Sequence, residues 1–416
     1  MPSVLTNFTR VSVARDFVNS LNYTPHYIGI GGVLSWDNDL APPTPTNTIS
    51  NITDVWRDSY AMKRVRTVDA SLAIPRITWT TGTVYDQYSD KLDLNNLSFY
   101  VITDTNDVFK CVDNNNGGIS TIKPTVTNTS DLLPADGYHW KWMYNIPTQV
   151  MNKFGTADFI PVIDTSNNVA VPGEICRIDM IDVGSSYSYA NIKIEGDGAG
   201  AIAYPTSTAG GHIPSITMAN NGSGYNYAKI TISGDGIDAT AEAVLSPPGG
   251  HGSSPADELL AYYVILSTEL DYDVDGFFLT NNEYRKIFIV REPLKFADNV
   301  NYVEAAANTT TRVQVTSATT FIQDQVVQIW LNSVNVGTAT VAYIDSLNNT
   351  LHLCNITSST ITPTHKIYDG FNQISINGVT NSDVKIYSGK VLYVLNNTPI
   401  FRNITQSETI KIPILW

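Results

Sequence analysis

Asp271-Tyr-Asp-Val-Asp-Gly sets carboxylates at alternating positions ahead of a glycine, the opening of an EF-hand loop that would wrap a calcium ion. A complete loop also needs a bidentate glutamate at its twelfth position. That position is Asn282, Glu283 comes one step late, and the flanks read as strands rather than helices. The sequence therefore assigns no metal and leaves open whether Asp271, Asp273 and Asp275 hold an ion. The six histidines, His26, His139, His212, His251, His352 and His365, form no His-x-x-x-His or His-Glu pair. Ser185 and Ser254 lack the Gly-x-Ser-x-Gly elbow that exposes a nucleophile. Cys111, Cys176 and Cys354 are far apart, odd in number and show no Cys-x-x-Cys, which predicts neither a disulfide framework nor a zinc site. With no nucleophile beside a base, the expectation is a protein that is not an enzyme, with no catalytic residues and no cofactor.

The most regular stretch of the chain carries no chemistry of that kind. The sequence from Ile178 returns 38 positions later from Ile216, so that Gly184, Tyr187, Tyr189, Ile192, Ile194, Gly196, Asp197 and Gly198 reappear as Gly222, Tyr225, Tyr227, Ile230, Ile232, Gly234, Asp235 and Gly236. Isoleucines at every second position predict a strand with one buried face, and Gly-Asp-Gly predicts a reversal into a second strand. A lone hairpin is marginal in water, so the two copies are expected to pack on each other. Tyr187, Tyr189, Tyr225 and Tyr227 are the candidate surface of this module.

Composition bounds the rest. A chain of 416 residues, 43% hydrophobic and only 15% charged, is expected to form roughly two to four domains, with Asn, Thr and Ser supplying the polarity of a turn-rich β protein. The formal net charge of −14 argues against a nucleic-acid groove, because phosphates need clustered Lys and Arg; Lys63-Arg64-Val-Arg66 is the one local basic edge. No apolar run approaches a membrane span, and Met1-Pro-Ser-Val-Leu-Thr reads as no signal peptide. The expected fold is mainly β, with β-sandwich or barrel-like domains and a few short α-helices.

In chain order, Ser12 is placed to cap a helix from Val13 to Leu21, and Tyr27-Ile-Gly-Ile-Gly-Gly predicts a strand running into a glycine turn. Ser50 or Asn51 would cap a second helix, with Ile52, Val55, Trp56 and Tyr60 on one face. Phe99 to Thr103 and Val108 to Val112 read as paired strands, with a further strand after Asp136. Pro247-Pro-Gly-Gly-His-Gly-Ser-Ser-Pro reads as a flexible linker, and the segments between Val313 and Cys354 as short strands of a small barrel or sandwich.

The order of several segments then becomes informative. Gly31 to Trp36, Ala41-Pro-Pro-Thr-Pro-Thr, Ile52-Thr-Asp-Val-Trp, Ala73-Ile-Pro-Arg and Asp136-Gly-Tyr-His-Trp resemble, in that order, the baseplate wedge subunit family called gene product eight in T4-type contractile-tailed bacteriophages. Leu259 to Asp271 with Tyr284 to Leu294 looks like that family's later strand pair. Gly389 to Ile400 with Glu408 to Trp416 looks like its C-terminal hairpin. Residues 174–246 and 298–385 depart from the family pattern and read as inserts, which gives a division into 1–173, 174–246, 247–297, 298–385 and 386–416.

The resemblance implies a structural, late-expressed virion protein of the tail baseplate, assembled in the host cytoplasm. It further implies a homodimer that ties neighbouring wedge proteins together and moves as a rigid part during contraction. Because Trp, Tyr and Arg anchor interfaces, Trp36, Trp56, Tyr60, Arg64, Arg76, Trp79 and Tyr85 are the candidate interface residues. The alternative is a glycan- or receptor-binding attachment protein that uses the repeat tyrosines.

Overall fold

The strand His26–Gly31 is buried along its whole length and lies in the middle of a five-stranded antiparallel sheet. In the computed structural model, which describes residues 3–32, 35–125, 134–165, 170–206, 208–271, 278–358, 360–404 and 406–416, the sheet order is Ala306–Asn308, Ser59–Val65, His26–Gly31, Asn282–Arg291, Lys390–Arg402. Gly29 pairs with Phe288 in the register, and a Cβ there would run into the Phe288 ring. The glycine is therefore a packing requirement of the strand, and the turn begins only at Gly32, where φ is +96°.

The chain is mostly β and falls into two compact units, 1–16 with 71–265 and 413–416, and 17–70 with 266–412. Among the described residues the α-helices are Asn7–Ser20, Ile49–Arg57, Thr148–Phe154 and Pro255–Glu258, none long and apolar enough to cross a membrane. The first helix starts before Ser12, and its buried residues Val11, Ala14 and Phe17 recur at helical spacing. The cap of the second is Thr48, whose side chain accepts from Asn51 N–H, rather than Ser50 or Asn51. Tyr60 lies on the following strand and not on that helix; its spacing from Trp56 matched a helical turn by coincidence.

In the first unit, Tyr100–Ile102, Asp107–Asp113 and His139–Asn145 form an antiparallel meander. Its two faces enter different cores, Phe109, Cys111 and Trp140 one and Tyr100, Val108, Met143 and Tyr144 the other; the simple alternation is broken in the last strand, where the register shifts at Met143. The same unit holds the tandem-repeat strands.

The second unit carries a closed six-stranded antiparallel barrel in the order Thr311–Val315, Thr350–Cys354, Val334–Asp345, Val326–Leu331, Lys366–Tyr368, Gln373–Thr380. Val313, Val327, Ile329, Val341, Leu351, Leu353 and Ile367 fill it, so the alternate residues of each strand face outward. Two pairings implied by the family resemblance are corrected. Tyr263–Leu270 and Asn282–Arg291 enter different sheets, and so do Lys390–Arg402 and Glu408–Leu415; sequence adjacency suggested partners that the strands do not take.

Candidate interaction surfaces

The repeat folds as one module and not as two hairpins. Ala190–Gly196 and Ala228–Gly234, equivalent strands of the two copies, pair with each other, whereas Ala199–Pro205, Ile216–Ser223, Ile175–Asp182 and Thr240–Leu245 form the facing sheet. Each Gly-Asp-Gly turn thus carries the chain from one sheet to the other, which corrects the hairpin expectation. Ile178 pairs with Ile216 and Lys193 with Thr231, and both pairs join residues 38 positions apart. A residue can face its own copy only on a symmetry axis, so a pseudo-two-fold axis runs through these two pairs.

The two copies lock each other's loops. Asp197 accepts hydrogen bonds from the backbone N–H groups of Asn226 (2.8 Å) and Tyr227 (3.2 Å), while Asp235 accepts from Ser188 N–H (2.9 Å), Tyr189 N–H (3.1 Å) and the Ser188 hydroxyl. Tyr225 and Tyr187 lie over Gly198 and Gly236, where any Cβ would overlap the rings. Tyr187 and Tyr225 are therefore core, 5% and 7% exposed, and only Tyr189 and Tyr227, at 57% and 62%, stand on the surface. Of the four candidate surface tyrosines, the fold delivers one per copy.

Gly236→Ala should then cost about 1–3 kcal/mol through overpacking against Tyr187, read as a lower urea midpoint with unchanged slope. An unshifted midpoint would refute the ring-on-glycine packing. Acid should loosen the same loops. The Ser188 hydroxyl first, then the Ser188 and Tyr189 amides, hold Asp235 down to about 2, below its ordinary value. A depressed carboxylate stabilises fully above its unfolded pKa and loses that contribution as pH falls through the folded one. Amide protection at Ser188 and Tyr189, corrected for intrinsic exchange, should fall between roughly pH 4 and pH 2, and Asp235→Asn should abolish that pH dependence.

The seven candidate interface residues divide by burial. Trp56 packs on Phe288 at 6.3 Å, Tyr85 packs edge-on to Trp140 at 5.7 Å, and both are buried along with Tyr60. These three serve the interior. Trp36 donates to the Asn397 carbonyl at 2.9 Å, and Trp79 to the Ser120 hydroxyl at 3.1 Å. Arg64 donates to the Val303 carbonyl at 2.6 Å, and Arg76 to the Thr156 carbonyl at 3.0 Å. All four are partly exposed, and their polar ends are engaged within the chain.

A constellation that sequence spacing did not disclose lies in the first unit. Cys176 Sγ is 2.8 Å from His251 Nε2, and His251 Nδ1 is 4.0 Å from Glu258, whose carboxylate pairs with the Lys110 ammonium. Cysteine, histidine and glutamate in this order could form a nucleophilic relay. The electrostatics oppose it: burial pushes the Cys176 thiol far up and the His251 imidazole well down, so the proton stays on sulfur. In that protonation state Cys176 is the S–H donor to His251 Nε2. His251 also overturns the linker reading of residues 247–255, since His251 and Gly252 are buried and Ser254 caps the helix Pro255–Glu258.

The chain is 22% identical over 202 residues to the baseplate wedge protein gp8 of Enterobacteria phage T4, covering 38% of this chain and 60% of that protein. It is similar to a phage baseplate protein. No family model matches the sequence. The chain spans less than two thirds of the length of that relative. Of the calcium candidates, Asp273 and Asp275 fall outside the described residues, and among the described residues no three His, Cys, Asp or Glu side chains are grouped to hold a metal ion.

Proposed function

We propose that this chain is a non-enzymatic structural subunit of a phage tail baseplate, a homodimer that links neighbouring wedge proteins and moves as a rigid part during contraction. The observation that carries the reading is the likeness over 202 residues to the baseplate wedge protein of phage T4. Two features of the chain support it. Each unit is pinned internally by buried charged side chains, and the repeat copies clamp one another, so neither changes shape cheaply. The location that follows is the virion tail, after assembly in the host cytoplasm. Co-expression with the other baseplate proteins of its genome tests this: a complex should elute together, and the free chain should weigh twice 45.6 kDa. A monomer that joins no baseplate complex sinks the proposal. Between extended and contracted particles, distances inside each unit should hold.

A second reading, attachment to a glycan or receptor through the repeat, is favoured by the symmetry-related exposed pair Tyr189 and Tyr227. Deletion of 174–246 separates the two. Loss of host adsorption with assembly intact supports attachment, and loss of assembly alone supports a structural part.

A further inference from the structure

The outer wall of the barrel presents two rows of side chains set directly opposite one another across four strands. In the first row Tyr343 pairs with His352, His352 with Arg312, and Arg312 with Thr380. In the second, Asp345 pairs with Thr350, Thr350 with Gln314, and Gln314 with Gly378. The rows line a groove of about 710 Å³ whose apolar wall is confined to Leu279, Leu347 and Val379. Here one face gathers a phenol, an imidazole, a guanidinium and a primary amide, planar polar groups that can donate hydrogen bonds.

The chemistry of these groups selects the ligand. Burial, with the nearby Arg312 charge, lowers His352 to about 4, so the imidazole is neutral at pH 7 and keeps both a donor and an acceptor. Tyr343 lies edge-on to it at 5.4 Å, and the Thr310 hydroxyl is 3.2 Å from His352 Nδ1, which fixes both rings. Asp345 spends its carboxylate on its own turn, accepting from the Leu347 and Asn348 N–H groups at 3.1 and 3.2 Å and from Asn348 Nδ2 at 2.7 Å. Arg312 is the lone cation of the lining, 3.7 Å from Asp383, and its buried Nε–H meets no hydrogen-bond acceptor among the described residues. One partly neutralised cation does not make a phosphate track, and one committed carboxylate does not make a cation site.

We infer that this groove binds an oligosaccharide, whose vicinal hydroxyls would be read by Arg312, Gln314, Asn348 and Thr350 while a sugar face lies on Tyr343. Small β-barrels use the same kind of strand face for oligosaccharides, though the assignment here rests on the two rows and not on the fold. It goes beyond the baseplate reading and holds or fails independently of it. It also differs from the attachment reading, which uses the repeat tyrosines.

The test is saturation-transfer NMR of the full chain with cellohexaose, maltohexaose and chitohexaose at millimolar concentration, with a single-stranded oligodeoxynucleotide as the fourth probe. Binding of at least one saccharide is expected, weakened tenfold or more by Gln314→Ala and by Tyr343→Ala. Gly378→Leu is the blocking variant: a Cβ there meets only the Gln314 side chain at ordinary contact distance, so the variant should melt like wild type and still lose binding. No saturation transfer to any saccharide overturns the inference, as does transfer that all three variants leave intact. Binding of the oligonucleotide alone overturns it in favour of a nucleic-acid face.

Discussion

Glu258→Ala should destabilise the first unit by about 3–5 kcal/mol, because it strands a buried ammonium. The Lys110 and Glu258 side chains are almost wholly withdrawn from water and pair with each other; Lys110 Nζ also lies 5.1 Å from the centre of the Tyr88 ring. The other Glu258 oxygen accepts the backbone N–H groups of Gly252 at 2.8 Å and Ser254 at 3.2 Å. Removing the carboxylate leaves one charge and two amides without partners. Asp257→Ala, one residue away, is the control. Its partner Arg15 lies at 3.5 Å and both side chains are partly exposed, so that substitution should cost about 1 kcal/mol or less.

Lys110→Met combined with Glu258→Leu should recover part of the loss, since an apolar pair removes the stranded charge and leaves only the two amides. Guanidinium denaturation of the three variants beside wild type decides it. A Glu258→Ala midpoint equal to that of Asp257→Ala would mean that the pair is solvated and the core around it open. The same substitution should loosen the repeat module at its base. Arg177, in the module's first strand, donates to the Tyr88 and Val112 carbonyls at 2.6 and 2.7 Å, and Tyr88 packs edge-on to His251 at 5.1 Å beside this ion pair.

How much of this was legible in the sequence depends on how far apart the partners lie along the chain. The 38-residue period, the alternating isoleucines and four of the six barrel strands are local patterns that the sequence named, while Lys366–Tyr368 and Gln373–Thr380 were not read as barrel strands. Who pairs with whom is not local. The Gly-Asp-Gly turns looked like hairpin turns because glycine frees the backbone in any reversal, yet the Asp side chains bond to loops 29 and 47 positions away. The Lys110–Glu258 pair spans 148 positions and Cys176–His251 spans 75, so no spacing rule brings them together. The eight barrel-wall residues surfaced only once register placed them opposite each other. Aromatic type alone also did not separate core from surface: Trp56, Tyr60 and Tyr85 are buried, and Tyr187 differs from Tyr189 only by the side of the loop it leaves.

Arg402 should prove the least replaceable side chain of the second unit. Its guanidinium is fully buried, donating from Nε to Glu408 at 3.1 Å and from its two terminal nitrogens to the carbonyls of Phe278, Leu279 and Leu270. Tyr284 donates to the same Glu408 oxygen at 3.2 Å, and burial raises that phenol, so it stays protonated as the donor. Arg402→Met should cost about 3–5 kcal/mol, for it orphans three carbonyls and a carboxylate at once. Removing Glu408 as well should restore little, unlike the Lys110–Glu258 case, because the backbone acceptors remain. Arg402→Lys separates charge from shape: a lysine keeps the charge yet has one nitrogen where the network needs three, so most of the loss should persist. Thermal melting of the three variants reads this directly. A lysine variant that melts with wild type would show that charge alone suffices and that the forked arrangement around Leu270, Phe278 and Leu279 does not hold those segments together.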